Sequence, residues 1–159
     1  MMKTNLFRFI WMVLIPVLLL SCTTSTSTSK LISIEDYTFA RSGDGDQLIP
    51  VDDPAVFKRG EAVHLVLQNV GPFKKDDSGL NWFDLDMEII GPDGEVLLSQ
   101  TGLLGDGGHV ALENNKAETP FATCTTNPDV APGVYKFKLT IYDKIGSGKA
   151  TQTASFTLE

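Results

Sequence analysis

The sequence predicts an all-β fold, an antiparallel sandwich of two sheets built from about seven or eight strands over residues 31–159. Three observations predict it. Apolar and polar residues alternate at period two in several segments. The clearest is 82–90, where Phe83, Leu85, Met87 and Ile89 oppose Asp84, Asp86 and Glu88. Clusters of Gly, Pro, Asp and Asn punctuate the chain between those segments. Finally, no stretch of this body sustains a helical period.

Taken in order, residues 31–40 open the body, with Ile32 and Ile34 alternating against Ser33 and Glu35. Residues 41–54 read as a polar loop rich in Gly and Asp. Residues 61–70 place Val63, Leu65 and Leu67 on one face, and 82–90 follow as a half-buried strand. Gly91-Pro92-Asp93-Gly94 turns the chain into a returning strand over 95–100. The Gly-rich segment 101–108 reads as an irregular crossing, 109–112 as a short strand and 119–125 as a longer one. After the Pro/Gly corner at 127–133, residues 134–142 turn Tyr135, Phe137, Leu139 and Ile141 inward. Residues 143–148 close a hairpin, and 149–158 end the body with Ala154, Phe156 and Leu158 inward.

Residues 1–30 are of another kind. Lys3 and Arg8 precede a nearly pure apolar run over 9–20, then Ser21 and Cys22. That order is a secretory signal in form. The run is shorter than the roughly 20 apolar residues a spanning helix needs, and Pro16 interrupts it. Leu19-Leu20-Ser21-Cys22 resembles the lipobox of bacterial lipoproteins. The resemblance implies cleavage of a signal peptide (1–21), diacylglycerol on the Cys22 thiol and acylation of its new amine. Leu20 is less usual there than a smaller residue. Thr23, rather than Asp, resembles an outer-membrane address. The implied location is the cell envelope, lipid-anchored, facing the periplasm or the cell surface. Residues 23–29, all Ser or Thr, and Lys30 then form a solvated tether between lipid and domain.

Removing residues 1–21 takes away Lys3 and Arg8 and no acid, so 13 bases become 11 against 20 acids, and the charge becomes −9 instead of −7. An acidic body without a basic stripe excludes nucleic-acid binding. It also leaves lipid as the main membrane anchor. Cys124 is the only cysteine besides Cys22, so lipidation of Cys22 leaves it without an intrachain partner. Its apolar setting predicts a packed, unreactive thiol.

The C-terminal third carries a second resemblance. Pro132-Gly133-Val134-Tyr135, a strand, Asp143, a glycine hairpin and a Thr/Ser-rich last strand are similar to the final hairpin of immunoglobulin-like bacterial modules. The resemblance implies an immunoglobulin-like sandwich in which Tyr135 forms a tyrosine corner, its hydroxyl holding the preceding loop. A Cys–Trp–Cys framework is missing, and the resemblance carries no activity.

Chemistry-bearing motifs are sparse. G-x-S-x-G, H-E-x-x-H and C-x-x-C do not occur. His64 falls on the polar face of its strand and His109 at a loop exit, both read as surface residues. Asp44 and Asp46, with Asp52 and Asp53 beyond, could supply oxygen ligands to calcium, though the EF-hand pattern fails at Leu48. Asp76-Asp77 is a second acidic pair. The stripe Asp84, Asp86, Glu88 reads as solubility and edge protection. Gly102 to Gly108 lacks the Lys-Ser/Thr of a phosphate loop. Trp82 serves either as a stacking platform for a sugar or peptide or as a strand-start residue packing beneath the preceding loop. The expectation is a non-catalytic binding or assembly module with a protein partner in the envelope and no cofactor. The alternatives are a calcium- or small-ligand-binding module and, last, an envelope enzyme using His64 or His109 with Cys124.

Overall fold

The computed structural model describes residues 31–45 and 47–159. Among the described residues, ten strands pack as two facing sheets. They are β1 (Asp36–Ser42), β2 (Leu48–Val51), β3 (Val56–Phe57), β4 (Ala62–Gln68), β5 (Asn81–Ile90), β6 (Val96–Gln100), β7 (His109–Val110), β8 (Phe121–Thr125), β9 (Gly133–Asp143) and β10 (Lys149–Leu158). The four-stranded sheet has the order β2-β1-β4-β8. The six-stranded sheet runs β3-β10-β9-β5-β6, with β7 paired to the start of β5. Every pairing is antiparallel except the short β3–β10 contact. The fold is thus an all-β sandwich.

Alternation sets the core as the sequence implies. Leu85, Met87 and Ile89 from β5 meet Tyr135, Phe137, Leu139 and Ile141 from β9 and Phe156 and Leu158 from β10, all buried. Phe39, Val63, Leu65, Leu67, Ala122 and Cys124 close the core from the other sheet. Phe39, Phe57 and Phe156 form a ring cluster with centroids 5.6–6.1 Å apart. Burying such side chains supplies roughly 1.5–3 kcal/mol each before conformational entropy is counted.

Residues 41–54 differ from the expected loop. β1 continues to Ser42 and β2 returns beside it in register from Ser42↔Leu48 to Phe39↔Val51. Leu48-Ile49-Pro50-Val51 is short and contains Pro50, which β2 tolerates because it is an edge strand. The chain then crosses to the other sheet and forms β3 against the end of β10.

The acidic stripe on β5 does not lie at an edge. β5 pairs with β9 on one side and β6 on the other, and Asp84 is only 7 % exposed. Edge protection is therefore the wrong account of Asp84 and Asp86; both carboxylates hold loop backbone.

Candidate functional site

Asn81 opens β5, Asp143 closes β9 and Lys149 opens β10, so one end of the six-stranded sheet gathers the loops 73–80, 101–108 and 144–148. Side chains from the strands accept from backbone N–H groups of these loops.

Asp84 projects outward from β5 beneath the Gly-rich loop. Its Oδ1 accepts from the backbone N–H of Leu104 at 2.9 Å, of Gly105 at 3.4 Å and of Leu85 at 2.8 Å. Asp86, two residues on along the same face, accepts from Gly102 N–H at 2.9 Å. Gly108 lets the loop close, since a Cβ there would collide with the Phe83 carbonyl. A segment without regular structure is thereby fixed onto the sheet.

Asp143 does the same for the other two loops. Its core-side carboxylate, 5 % exposed, accepts from Lys74 N–H at 2.9 Å, Gly146 N–H at 2.8 Å and Ile145 N–H at 3.1 Å. Asn81, fully buried, donates to the carbonyls of Phe73 and Lys74 and accepts from Leu112 N–H. Four side chains therefore convert this end into a rigid surface.

A shallow cleft of about 510 Å³ opens on this surface, lined by Asp84, Asp86, Gly102, Tyr142, Lys144 and Ser147 among others. Hydrogen bonding to Asp86 pushes the Tyr142 phenol above its ordinary value. On the same sheet end, Trp82 packs in a tilted arrangement on His109 with ring centroids 5.3 Å apart, and its indole N–H donates to the Gly105 carbonyl at 3.2 Å. His109 Nε2–H donates to Asp76 Oδ2 at 2.7 Å, which holds the Asp76 carboxyl below its usual range. Trp82 thus packs against the 101–108 segment and His109, downstream of its strand, and not beneath the preceding loop as the second reading has it.

The other residues singled out in the sequence are dispersed. Cys22 and Asp46 lie outside the described residues. Asp44 is exposed in the β1–β2 turn, while Asp52 and Asp53 follow the far end of β2. Four strand residues separate them, about 13 Å at 3.3 Å per residue, against calcium–oxygen distances of about 2.4 Å. Among the described residues, no three His, Cys, Asp or Glu side chains converge as a metal site. Tyr135 hydroxyl donates to the Ala131 carbonyl at 2.6 Å.

His64 is a correction: it is not a surface residue but 6 % exposed. It stands on the outer face of the four-stranded sheet between Ser42 Oγ, 2.9 Å from Nε2, and Thr123 Oγ1, 2.8 Å from Nδ1. Burial pushes its imidazole below the ordinary value. Cys124 is buried on the opposite face of the same sheet, its thiol pushed up by burial. His64, His109 and Cys124 therefore do not assemble. Sequence reasoning missed Asp84, Asp86, Asp143 and Asn81 as loop anchors. Asp143 alone had a local signal, an Asp two and three residues before the N–H groups it binds.

No protein-family model and no curated protein matches the chain. Among solved structures, the chain is similar to the C-terminal domain of wzt, with 12% identity, a TM-score of 0.49 and coverage of 80% of this chain and 73% of that one. It is also similar to a family 123 glycoside hydrolase from Clostridium perfringens, with 12% identity and a TM-score of 0.40, covering 66% of this chain and 23% of that one.

Proposed function

We propose that this protein is a lipid-anchored, non-catalytic binding or assembly module of the bacterial cell envelope, facing the periplasm or the cell surface. The observation that carries the binding role is the rigid loop end held by Asn81, Asp84, Asp86 and Asp143. Loops fixed before binding lose little entropy on contact, which favours recognition over flexible tethering. The dispersal of His64, His109 and Cys124 supports a role without catalysis.

The anchor rests on Leu19-Leu20-Ser21-Cys22 and the Ser/Thr run behind it. Its geometry bears on the partner. Ile32, just inside the body, packs beside Gly148, since a Cβ on that glycine would sit 3.6 Å from the Ile32 side chain. The chain therefore enters the domain at the loop end. Nine residue steps from Cys22 to Leu31 span at most about 30 Å. Anchored in this way, the loop end faces partners within that distance of the bilayer.

Two measurements test the proposal. Protein extracted from membranes with detergent should have the mass of residues 22–159 plus diacylglyceryl and acyl groups. An unmodified mass, or retention of residues 1–21, overturns the anchor. Crosslinking in cells from a photoreactive residue at position 103, on the exposed Leu103 of the loop end, should capture a discrete envelope protein. The same residue at exposed position 134 should not; equal capture at both overturns the binding role assigned to the loop end.

A further inference from the structure

The two sheets end in four outer strands among the described residues, and three of these edges are blocked. β2 carries Pro50 within its four residues, β3 is only two residues long, and β6 is bulged at Leu97, because Ile89 pairs with Leu98 and Ile90 with Val96. Proline, shortness and bulges all stop a sheet edge from accepting another strand. β8 has none of them. Phe121–Thr125 pairs with β4 in unbroken register and carries no proline and no charge. The uncharged stretch runs over residues 119–128, in a chain with 20 acids.

The ladder fixes which backbone groups of β8 face outward. Leu67 N–H donates to the Pro120 carbonyl at 2.9 Å, and Thr126 N–H donates to the Glu61 carbonyl at 3.0 Å. Antiparallel pairs alternate, so between these two bonds Ala122 and Cys124 exchange hydrogen bonds with Leu65 and Val63. Phe121, Thr123 and Thr125 therefore point their N–H and C=O groups away from β4, toward the open edge. Their side chains share the exposed outer face, where Phe121 is 46 % exposed.

We propose that β8 pairs antiparallel with β8 of a second copy, making one continuous eight-stranded sheet across a two-fold axis at Thr123. Self-complementarity selects this occupant. In that register Thr123 faces Thr123 and Phe121 faces Thr125, and all three residues present the backbone groups such pairs exchange, giving six hydrogen bonds. Threonine–threonine and aromatic–β-branched pairs are favourable cross-strand neighbours. The charges agree with it. The nearest acids, Glu118 and Asp129, fall opposite Pro128 and Ala117 of the second copy, so no like charges meet despite the acidic bodies. Ala122 and Cys124 stay buried in their own core. The inference goes beyond the binding role of the loop end and depends neither on it nor on the lipid anchor.

The test uses the full chain in detergent. Sedimentation should show a monomer–dimer equilibrium with a dissociation constant of roughly 10–100 μM, as suits an interface of one short strand a side. Thr125→Pro removes an outward N–H that β4 does not use, and so two hydrogen bonds per dimer; dissociation should rise at least about tenfold. An unchanged melting temperature of the dilute variant separates lost pairing from lost folding. Thr123→Cys should form an interchain disulfide under mild oxidation, because facing residues of a hydrogen-bonded pair lie about 5.5 Å apart between Cα atoms. Ile49→Cys, exposed on the blocked β2 edge, should not, and the unsubstituted chain gives the background. A monomer at all concentrations up to about ten times the upper dissociation constant overturns the inference. So do an equilibrium indifferent to Thr125→Pro, equal bridging from positions 49 and 123, and a bridge from position 123 in membranes to a different protein. If the chain stays monomeric while position 103 still captures an envelope partner, the dimer falls and the binding-module reading stands.

Discussion

The two ends of the six-stranded sheet are held by different means. At one end Tyr135 pins the loop before β9 through a neutral hydroxyl bonded to Ala131, four residues away. At the other, carboxylates reach across the chain: Asp143 holds Lys74, 69 residues distant, and Asp84 holds Leu104, 20 residues distant. A local pin orders its own turn as the strand forms. A distant pin acts only once the sheet is assembled, and then joins loops that have no other reason to meet. The carboxylate end is consequently the more cooperative of the two, and the more damaged by a single substitution.

The largest expected effect is at Asp143. Asp143→Ala leaves the N–H groups of Lys74, Ile145 and Gly146 without their acceptor inside the fold. A loss of about 3 kcal/mol follows, lowering the melting temperature by roughly 10 °C. Calorimetric melting measures it, and a shift no larger than that of Tyr135→Phe would erase the contrast between the ends. Asp84→Asn is milder, because the amide oxygen can still accept from Leu104 and Leu85. About 1–2 kcal/mol should be lost as charge-assisted bonds become neutral ones. Amide exchange should quicken at Leu104 and Gly105 and stay unchanged at residues 126–133.

Tyr135→Phe is smaller again. It removes one neutral hydrogen bond and leaves the ring stacked on Phe156, 5.8 Å between centroids. About 1 kcal/mol is expected, with faster exchange confined to residues 126–133. Faster exchange at residues 101–108 in this variant would show that the two ends are coupled.

The same contrast decides what was legible in the sequence. Strand faces were, because period two is a local property: Phe83, Leu85, Met87 and Ile89 turn inward as read. The turn at 91–94 and the hairpin at 143–148 were legible for the same reason. β2 was not, since Leu48–Val51 is too short to alternate and acquires its identity only by pairing with β1. Asp84 and Asp86 were misread because an acid on an alternating strand looks the same whether it meets water or backbone N–H groups of a loop 20 residues on. His64 was misread likewise, its partners Ser42 and Thr123 lying on other strands.

Acid should take the molecule apart in a defined order, which sharpens the comparison further. Burial holds His64 below its ordinary 6.5 in the folded state, so the unfolded chain binds the proton more readily. Its contribution is present in full above pH 6.5 and is lost as pH falls from there through the folded value. The neutral ring needs one donor and one acceptor, and the two hydroxyls supply both. Asp76, at the loop end, is lowered from 3.8 by its hydrogen bond from His109. Its contribution is present above 3.8 and is lost only as pH falls through its lower folded value. The four-stranded sheet should therefore weaken first, near and below pH 6.5, and the 73–80 loop only in stronger acid. His64→Gln should flatten the stability profile between pH 7 and 5 while leaving the slope below pH 4 in place. Denaturant melts across that range measure both slopes, and an unchanged upper slope would remove His64 as its source.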